Sequence, residues 1–273
     1  MSTFAVMDQS IDYISINKKM WNDKTDVHVK SSFYNVDLFR KTKNSLKEIE
    51  LRQLGDVAGK SILHLQCHFG MDTLSLASLG AEVTGVDLSD TSIEVANQLS
   101  TELNIKAEFI CCDIYELKNF LNKKFDIVFT SYGTILWLPD LPEWARIISH
   151  FLKPGGEFHF VEFHPFVSMF DNDFRQIEYS YFNQGPINEE TIGTYADRYA
   201  PLKNNSIAWN HSFSEIFSAL LRQDLLIEEF EEFDYSPFNC FGNMKQFQPG
   251  KWRVNNLERL IPMVFGLKAR KKG

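Results

Sequence analysis

Cysteine is scarce in this chain. Four occur in 273 residues, Cys67, Cys111, Cys112 and Cys240, at spacings that make neither a disulfide framework nor a paired Cys-x-x-Cys zinc site. Reduced thiols, as in a cytoplasm, are the expectation, with no metal centre. Long apolar runs are lacking too. No stretch approaches the roughly 20 residues that cross a bilayer, and Met1 to Ser10 shows no basic segment followed by a hydrophobic run. The expectation is a soluble, untargeted chain without a membrane partner. Positive charge is also in deficit: 28 basic side chains face 36 acidic ones, and the net charge of -8 repels a phosphate backbone. A nucleic-acid partner is therefore disfavoured. There is no internal repeat or low-complexity tract. What is present is a 44% hydrophobic composition, which at this length buries one substantial core with room for a smaller cap or lid.

The hydrophobic period changes twice along the chain. Up to about Gly59 it is polar and helix-like, with Ser45 and Glu48 spaced as a capping box ahead of Leu46, Ile49 and Leu54, and Gly55 as a stop. Residues 1–59 read as an N-terminal helical cap and residues 60–273 as the main domain. From Ser61 to His164, short apolar runs alternate with helical patterns; the runs are Ile62–Leu65, Val83–Val86, Phe109–Cys111, Phe125–Phe129 and Phe158–Val161. That alternation predicts a parallel sheet covered by helices over Asp72–Leu79, Ser89–Leu103 and Pro142–Leu152. An irregular aromatic stretch follows, read as a lid inserted at about 165–211. Ser212 and Glu215 then cap a helix bearing Phe213, Ile216, Phe217, Leu220 and Leu221 on one face. Leu225–Phe230 and Met263–Ala269 complete a count of seven strands, separated by an irregular stretch with Pro237, Gly242, Pro249 and Gly250.

Three strand ends carry chemistry. The first strand turns through Gln66-Cys67-His68-Phe69-Gly70 into a helix whose free N–H groups suit a carboxylate or phosphate. The second ends in Val86-Asp87-Leu88, and Asp87 lies seventeen residues beyond Gly70, near the separation at which an acid accepts both ribose hydroxyls. The third ends in Cys112-Asp113-Ile114, placing an acceptor where an adenine amino group donates, although Asp113 equally suits the N-cap of a helix over Ile114–Leu121. Next come Asp126-Ile127-Val128-Phe129-Thr130-Ser131-Tyr132 and, after a helix, Leu152-Lys153-Pro154-Gly155-Gly156 as the turn into the fifth strand. His64, Cys67 and His68 lack the matching second pair of a zinc site, and the adjacent Cys111 and Cys112 read as core.

In order and spacing these segments resemble the class I S-adenosylmethionine-dependent methyltransferases, over roughly Ser61 to Val161. The reading His-Leu-Gln-Cys-His-Phe-Gly, with Glu162-Phe163-His164-Pro165 and Leu267-Lys268-Ala269-Arg270, is similar to a bacterial subfamily acting on small molecules. The resemblance implies a Rossmann-like α/β fold: a seven-stranded, mostly parallel sheet with helices on both faces, an N-terminal helical cap and an inserted lid. It implies S-adenosylmethionine as cofactor and S-adenosylhomocysteine as product. Gln66, Cys67, His68 and Gly70 would face the methionine part, Asp87 and Leu88 the ribose, Asp113 and Ile114 the adenine, and Ser131 and Tyr132 the methyl group. The chain departs from the family where Asp-x-Gly-x-Gly-x-Gly is usual: His64, Gln66 and His68 stand there, and only Gly70 remains. Loss of glycines at positions of positive φ is expected to alter the turn or crowd the cofactor.

A sulfonium methyl is already electrophilic, so transfer needs an acceptor held in line and water kept out. A protic acceptor also needs a base. His164, at the end of the fifth strand, is the first candidate, with His211 and Tyr132 behind it. Trp21, Tyr34 and Trp137 are candidates to enclose the ligands. The expected reaction is methyl transfer to a small-molecule acceptor, and oligomeric state has no signal in the sequence. The rivals are a non-catalytic S-adenosylmethionine-binding protein and a nicotinamide-dependent oxidoreductase, the second weakened by the missing Gly-x-Gly-x-x-Gly turn. The basic residues from Lys268 to Lys272 read as a solvated terminus.

Overall fold

A computed structural model describes residues 12–273; the Met1–Ser10 segment read above for leader features lies outside the described residues. Three helices come first, α1 (Tyr13–Lys30), α2 (Val36–Thr42) and α3 (Glu48–Leu54). Four strand–helix units and a fifth strand follow: β1 (Ser61–Leu65), α4 (Met71–Ser78), β2 (Glu82–Asp87), α5 (Asp90–Leu103), β3 (Glu108–Cys111), a 3-10 turn over Ile114–Asn119, β4 (Phe125–Ser131), α6 (Leu141–Phe151) and β5 (Leu152–Phe163). A hairpin of β6 (Ile187–Ile192) and β7 (Lys203–Ala208) precedes α7 (Phe213–Leu221) and β8 (Leu225–Phe233). A second hairpin, β9 (Met244–Gln248) with β10 (Lys251–Val254), precedes the last strand, β11 (Val264–Lys271).

The main sheet has seven strands in the order β3-β2-β1-β4-β5-β11-β8. The first five are parallel, and β11 runs antiparallel between β5 and β8. Alternate residues of each central strand serve opposite faces, as the pleat requires. Leu63, Leu65, Val128, Phe158 and Phe160 pack with Trp144, Ile147 and Ile148 of α6 and Ile216 and Leu220 of α7. Ile62, Val83, Ile127 and Phe129 pack on the other face with Leu76 of α4 and with Leu46 and Leu54 from around α3. Both faces are dry, which is why these strands read as continuous apolar runs.

Helices α1 and α2 pack near the carboxyl ends of β1 and β2, whereas α3 lies on a face of the sheet, with Ile49 against Val161 and Val264. Asn17 of α1 is buried and takes both backbone groups of Ile207 in β7, donating to its carbonyl at 2.8 Å and accepting from its N–H at 2.9 Å. Thr25 meets Ser92 of α5 at 2.7 Å, and Asn22 accepts from Ser89 Oγ at 2.6 Å.

Several local expectations need correcting. Ser45 does not cap α3: its hydroxyl donates to Asp72 and its N–H to Ser75 Oγ, while Lys47 is the N-cap residue and Glu50 accepts from the Lys47 N–H at 3.3 Å. The turn after Asp113 is 3-10 and ends at Asn119 rather than reaching Leu121. Four strands lie outside the expected seven. One of their hairpins is closed by Pro249-Gly250, with Gly250 at φ +70°. The basic stretch from Lys268 is no solvated tail. Lys268 and Arg270 sit in β11 and pair with Glu157 on β5, and Lys271 donates to the carbonyls of Ser149 and Leu152.

Candidate functional site

The carboxyl ends of β1 to β4 open into one cavity of about 390 Å³, within the range of cofactor and small-ligand clefts. Gln66, Cys67, His68 and Gly70 from the first turn, Asp87 and Leu88 from the second strand end, Asp113 and Ile114 from the third, and Ser131 and Tyr132 from the fourth all line it. Trp21, Tyr34 and Trp137 do so as well.

The first turn keeps a left-handed path without the usual glycines. Gln66 and His68 sit at φ +55° and +51°, and Gly70 at +79°. Such a conformation costs an L-residue about 1–2 kcal/mol, so tertiary contacts have to hold it. Gln66 Nε2 donates to the Thr134 carbonyl at 2.9 Å, and the His68 N–H donates to Asp87 Oδ2 at 2.8 Å. The His68 ring is 3.2 Å from His28 of α1, nitrogen to nitrogen, and packs edge-on to Trp21 at 5.4 Å between centroids. Gly70 has a second reason to be glycine: a Cβ there would stand 2.7 Å from the Phe109 ring and 2.8 Å from Ala96 Cβ. His64, where the family's acid stands, is buried and bonds Thr73 Oγ1 at 2.8 Å; burial lowers its pKa to about 3, so it is neutral.

Asp87 is fixed by two backbone donors, His68 N–H and Ser89 N–H, at 2.8 and 2.9 Å, and burial raises its pKa to about 6. Asp113 accepts from the Tyr115 N–H at 3.0 Å through Oδ1, as a cap, with its other oxygen making no such bond. Cys112 belongs to the buried core, as expected, and also touches the cavity beside Asp113, whereas Cys111 is only half-buried. At the end of β4, Tyr132 turns left-handed at φ +40° and Gly133 at +71°. Glu162 holds this bend. Fully buried on β5, its carboxylate accepts from the N–H groups of Gly133, Thr134, Ile135 and Phe163 and from the Thr134 hydroxyl.

Two of the three candidate bases fall outside the cavity. His164 has both ring nitrogens engaged, Nε2 with Glu232 at 2.8 Å and Nδ1 with the Phe166 N–H at 3.0 Å, and its ring packs edge-on to Phe213. His211 is buried with Nε2 on the Leu138 carbonyl at 2.8 Å, tying the end of the insertion to the β4–α6 connection. Neither lines the cavity. Strand-end position placed them near the sheet edge, but their side chains serve backbone and lid packing. Tyr132 does line it.

Sequence reasoning missed the polar wall opposite the β1 turn. Asp72, in the first turn of α4, is half-buried, with its pKa raised by desolvation, and is bonded by Ser45. Glu50 of α3 accepts the Tyr132 hydroxyl at 2.9 Å, and burial raises its carboxyl to about 7. Lys47 lines the cavity beside the Phe238 ring, its nitrogen 5.1 Å from the centroid. An acid on a short exposed-looking helix carries no local signal of this role. Beyond them Tyr34 and Tyr195 meet hydroxyl to hydroxyl at 2.5 Å, joining the stretch between α1 and α2 to the insertion.

The residues present fit S-adenosylmethionine. The buried Gln66 Oε1 has no hydrogen-bond partner, an acceptor left open for an ammonium donor beside a helix N-terminus. Asp87 and Asp113 add acceptors at two further strand ends.

A family model described as a methyltransferase domain matches residues 62–156. Over 100 residues the chain is 34% identical to the ubiquinone biosynthesis O-methyltransferase of Chromobacterium violaceum, a stretch covering 37% of this chain and 43% of that enzyme. The chain thus spans less than half the length of the curated relatives it matches. Among solved structures, it is similar to an S-adenosylmethionine-dependent methyltransferase from Mesorhizobium loti, with TM-score 0.54, 21% identity, and coverage of 81% of this chain and 95% of that one. A methyltransferase from Methanosarcina mazei gives TM-score 0.54 and 22% identity, covering 84% of this chain and 99% of that one. Residues 62–156 thus form the part of the chain that is similar to methyltransferase domains. The chain carries it in the fold of the class I S-adenosylmethionine-dependent methyltransferases, and neither the nicotinamide-dependent nor the non-catalytic alternative is favoured.

Proposed function

We propose that this protein transfers the methyl group of S-adenosylmethionine to a small-molecule acceptor. The observation that carries the reading is the convergence of the three acidic or turn-forming strand ends, Gln66–Gly70, Asp87 and Asp113, on one cavity that continues past Tyr132 into an aromatic compartment. When bound, the cofactor supplies an electrophilic methyl on sulfur. The chain's own residues do the rest. Asp87 accepts from the ribose hydroxyls while its backbone donors keep it in place; Asp113 and Ile114 flank the adenine; Gln66 Oε1 and the α4 N-terminus receive the amino-acid end. Trp21 and Trp137, edge to face at 5.5 Å, exclude water from the middle of the cleft.

Residues 12–59 and the insertion after His164 serve in this reading as cap and lid, since both contribute walls to the compartment beyond Tyr132. The acceptor is small and not a nucleic acid, in keeping with the net charge of -8. The ubiquinone biosynthesis enzymes that share the matched stretch are O-methyltransferases, which favours an oxygen acceptor. Among the described residues, no helix is long and apolar enough to cross a membrane. The four cysteines are free thiols, which supports assigning the chain to a reducing compartment such as the cytoplasm.

Titration calorimetry with S-adenosylhomocysteine, with NAD as the control ligand, tests the cofactor assignment. Binding in the micromolar range, about -8 kcal/mol, is expected for wild type, with at least a tenfold weakening in Asp87→Ala. NAD binding in preference to the sulfur ligand would sink it.

A further inference from the structure

We propose that Tyr132 and Glu50 form a proton relay that serves an aromatic hydroxyl acceptor, Tyr132 touching the acceptor and Glu50 receiving the proton through it. The inference rests on the methyl-transfer reading above and adds the acceptor class and the fate of its proton.

The geometry starts from the strained bend after β4, which sets Tyr132 into the cavity at φ +40° while its N–H donates to the Val161 carbonyl at 2.8 Å. Its hydroxyl donates to Glu50 at 2.9 Å, and Glu50 is 1% exposed. A phenol pinned to a buried carboxylate has one use that packing alone does not require. Its oxygen keeps a lone pair for a proton arriving from the cavity, as its own proton moves to the carboxylate. In the step, the acceptor O–H bond breaks as the new O–CH₃ bond forms and the C–S bond of the sulfonium breaks. The acceptor's proton goes to Tyr132 Oη, the proton of Tyr132 goes to Glu50, and the sulfur leaves as the neutral thioether. Charge balances: cation and carboxylate become thioether and carboxylic acid.

The compartment's lining selects the acceptor. Phe33, Tyr34, Phe163, Tyr195, Phe238 and Phe241 give it flat apolar walls that suit a ring. Lys47 has no ion-pair partner among the described residues and lines the same space, where it favours a developing aryloxide and repels an ammonium. Charged and titratable groups facing the relay are Asp72 from α4, Lys47 at the start of α3 and Tyr235 beyond β8. Asp72 has its oxygen bonded to Ser45 rather than to Tyr132, so Glu50 is the group in line. Burial, reinforced by the charge of Asp72, raises Glu50 to about 7, which suits a proton acceptor working near neutrality.

The test uses the full chain with S-adenosylmethionine labelled in the methyl group and three acceptors, catechol, 4-hydroxybenzoate and phenethylamine. S-adenosylhomocysteine binding is measured first, so that a failure of the cofactor assignment is seen separately; absent binding would remove that assignment and this inference with it. The expected result is label in at least one phenol and none in the amine. Glu50→Gln keeps an acceptor for the Tyr132 hydroxyl but takes no proton. It should lower kcat on the order of 100-fold, leave the KM for S-adenosylmethionine unchanged, and abolish the rise of kcat with pH around 7. Tyr132→Phe should lower kcat likewise and abolish the same rise with pH, and covers the case in which Glu50→Gln folds poorly. Label in the amine alone, no label in either phenol while S-adenosylhomocysteine binds, or a rising limb that survives in Glu50→Gln would overturn the proposal.

Discussion

Replacing Gly70 by alanine should destabilise the protein far more than the same change at Gly155, although the two backbones are nearly alike. Gly70 sits at φ +79° and Gly155 at +75°, so the left-handed penalty of about 1–2 kcal/mol applies to both. A Cβ at Gly155 meets nothing within 4 Å, whereas at Gly70 it meets Phe109 Cε1 at 2.7 Å, Phe109 Cζ and Ala96 Cβ at 2.8 Å. Those atoms belong to β3 and α5, and Phe109 also presses on Gly85, so it has little room to retreat. Overpacking of this kind adds about 1–3 kcal/mol. Gly70→Ala should therefore lose about 2–5 kcal/mol and Gly155→Ala about 1–2 kcal/mol, read from urea midpoints at constant m-value. In thermal melts, at about 2–4 °C per kcal/mol for a chain approaching this size, the gap between the variants should be several degrees. Because the backbone contribution cancels, equal losses in the two variants would refute the claim that the Phe109 contact, and not the turn conformation alone, requires glycine at position 70.

Three further outcomes are expected. Asn17→Ala leaves the buried N–H and carbonyl of Ile207 without partners, which should cost about 2–4 kcal/mol and make the segment around β6 and β7 the first site cut in limited proteolysis. Glu50→Gln should stabilise the protein relative to wild type increasingly as pH rises. The folded-state pKa of about 7 lies above the ordinary 4.5, so ionising Glu50 costs stability between these values, and the advantage should grow from near zero at pH 4 to at most about 3 kcal/mol at pH 8; a pH-independent difference in chemical denaturation would contradict it. Burial holds His28, His64 and His68 at about 2, 3 and 3, so below about pH 6.5 the unfolded chain takes up protons that the folded one refuses. Stability should fall on acidification by up to about 4 kcal/mol per pH unit from these three, offset in part by Glu50 and Asp87, whose raised pKa values act in the opposite sense within that window. Urea midpoints at pH 7.5 and 5.5 check the sign.

The central strands β1, β2, β4, β5 and β11 are legible because each is buried on one or both faces, and burial writes itself into the sequence as β-branched and aromatic runs; the edge strands β3 and β8 are half-buried or exposed and show only short apolar runs. The cap of α7 was legible for a different reason: Ser212 and Glu215 satisfy each other within four residues. Ser45 and Glu48 have the same spacing and fail, because the Ser45 hydroxyl is claimed by Asp72, far along the chain. The β6–β7 hairpin was illegible since Ile187-Asn-Glu-Glu-Thr-Ile is half exposed and its partner lies beyond a ten-residue loop. Strand ends revealed which residues converge at the sheet edge, and those reached the cavity. Side-chain direction was not encoded locally, so His164 and His211 were drawn to the site by position while Glu50, Asp72 and Lys47 went unseen. Glu162 carries no local sign of its role either, yet its five hydrogen bonds shape the bend that presents Tyr132.

The glycine-poor turn follows from the same division between local and tertiary constraint. Glycine would let the chain pass through φ near +50° at Gln66 and His68 without penalty, but it would bring no side chain. Gln66 uses its side chain to reach the Thr134 carbonyl on the β4 bend, and His68 places its ring against His28 and Trp21 of α1. The strain at two residues, about 1–2 kcal/mol each, is offset by contacts that lock three separate elements around the cofactor end of the cavity: the β1 turn, the β4 bend and the N-terminal helix. In a turn of glycines those elements would meet only through backbone. The cap helix is therefore coupled to the geometry of the turn, and a change in α1 that withdraws Trp21 or His28 acts on the path of Gln66–Gly70 without touching the ligand.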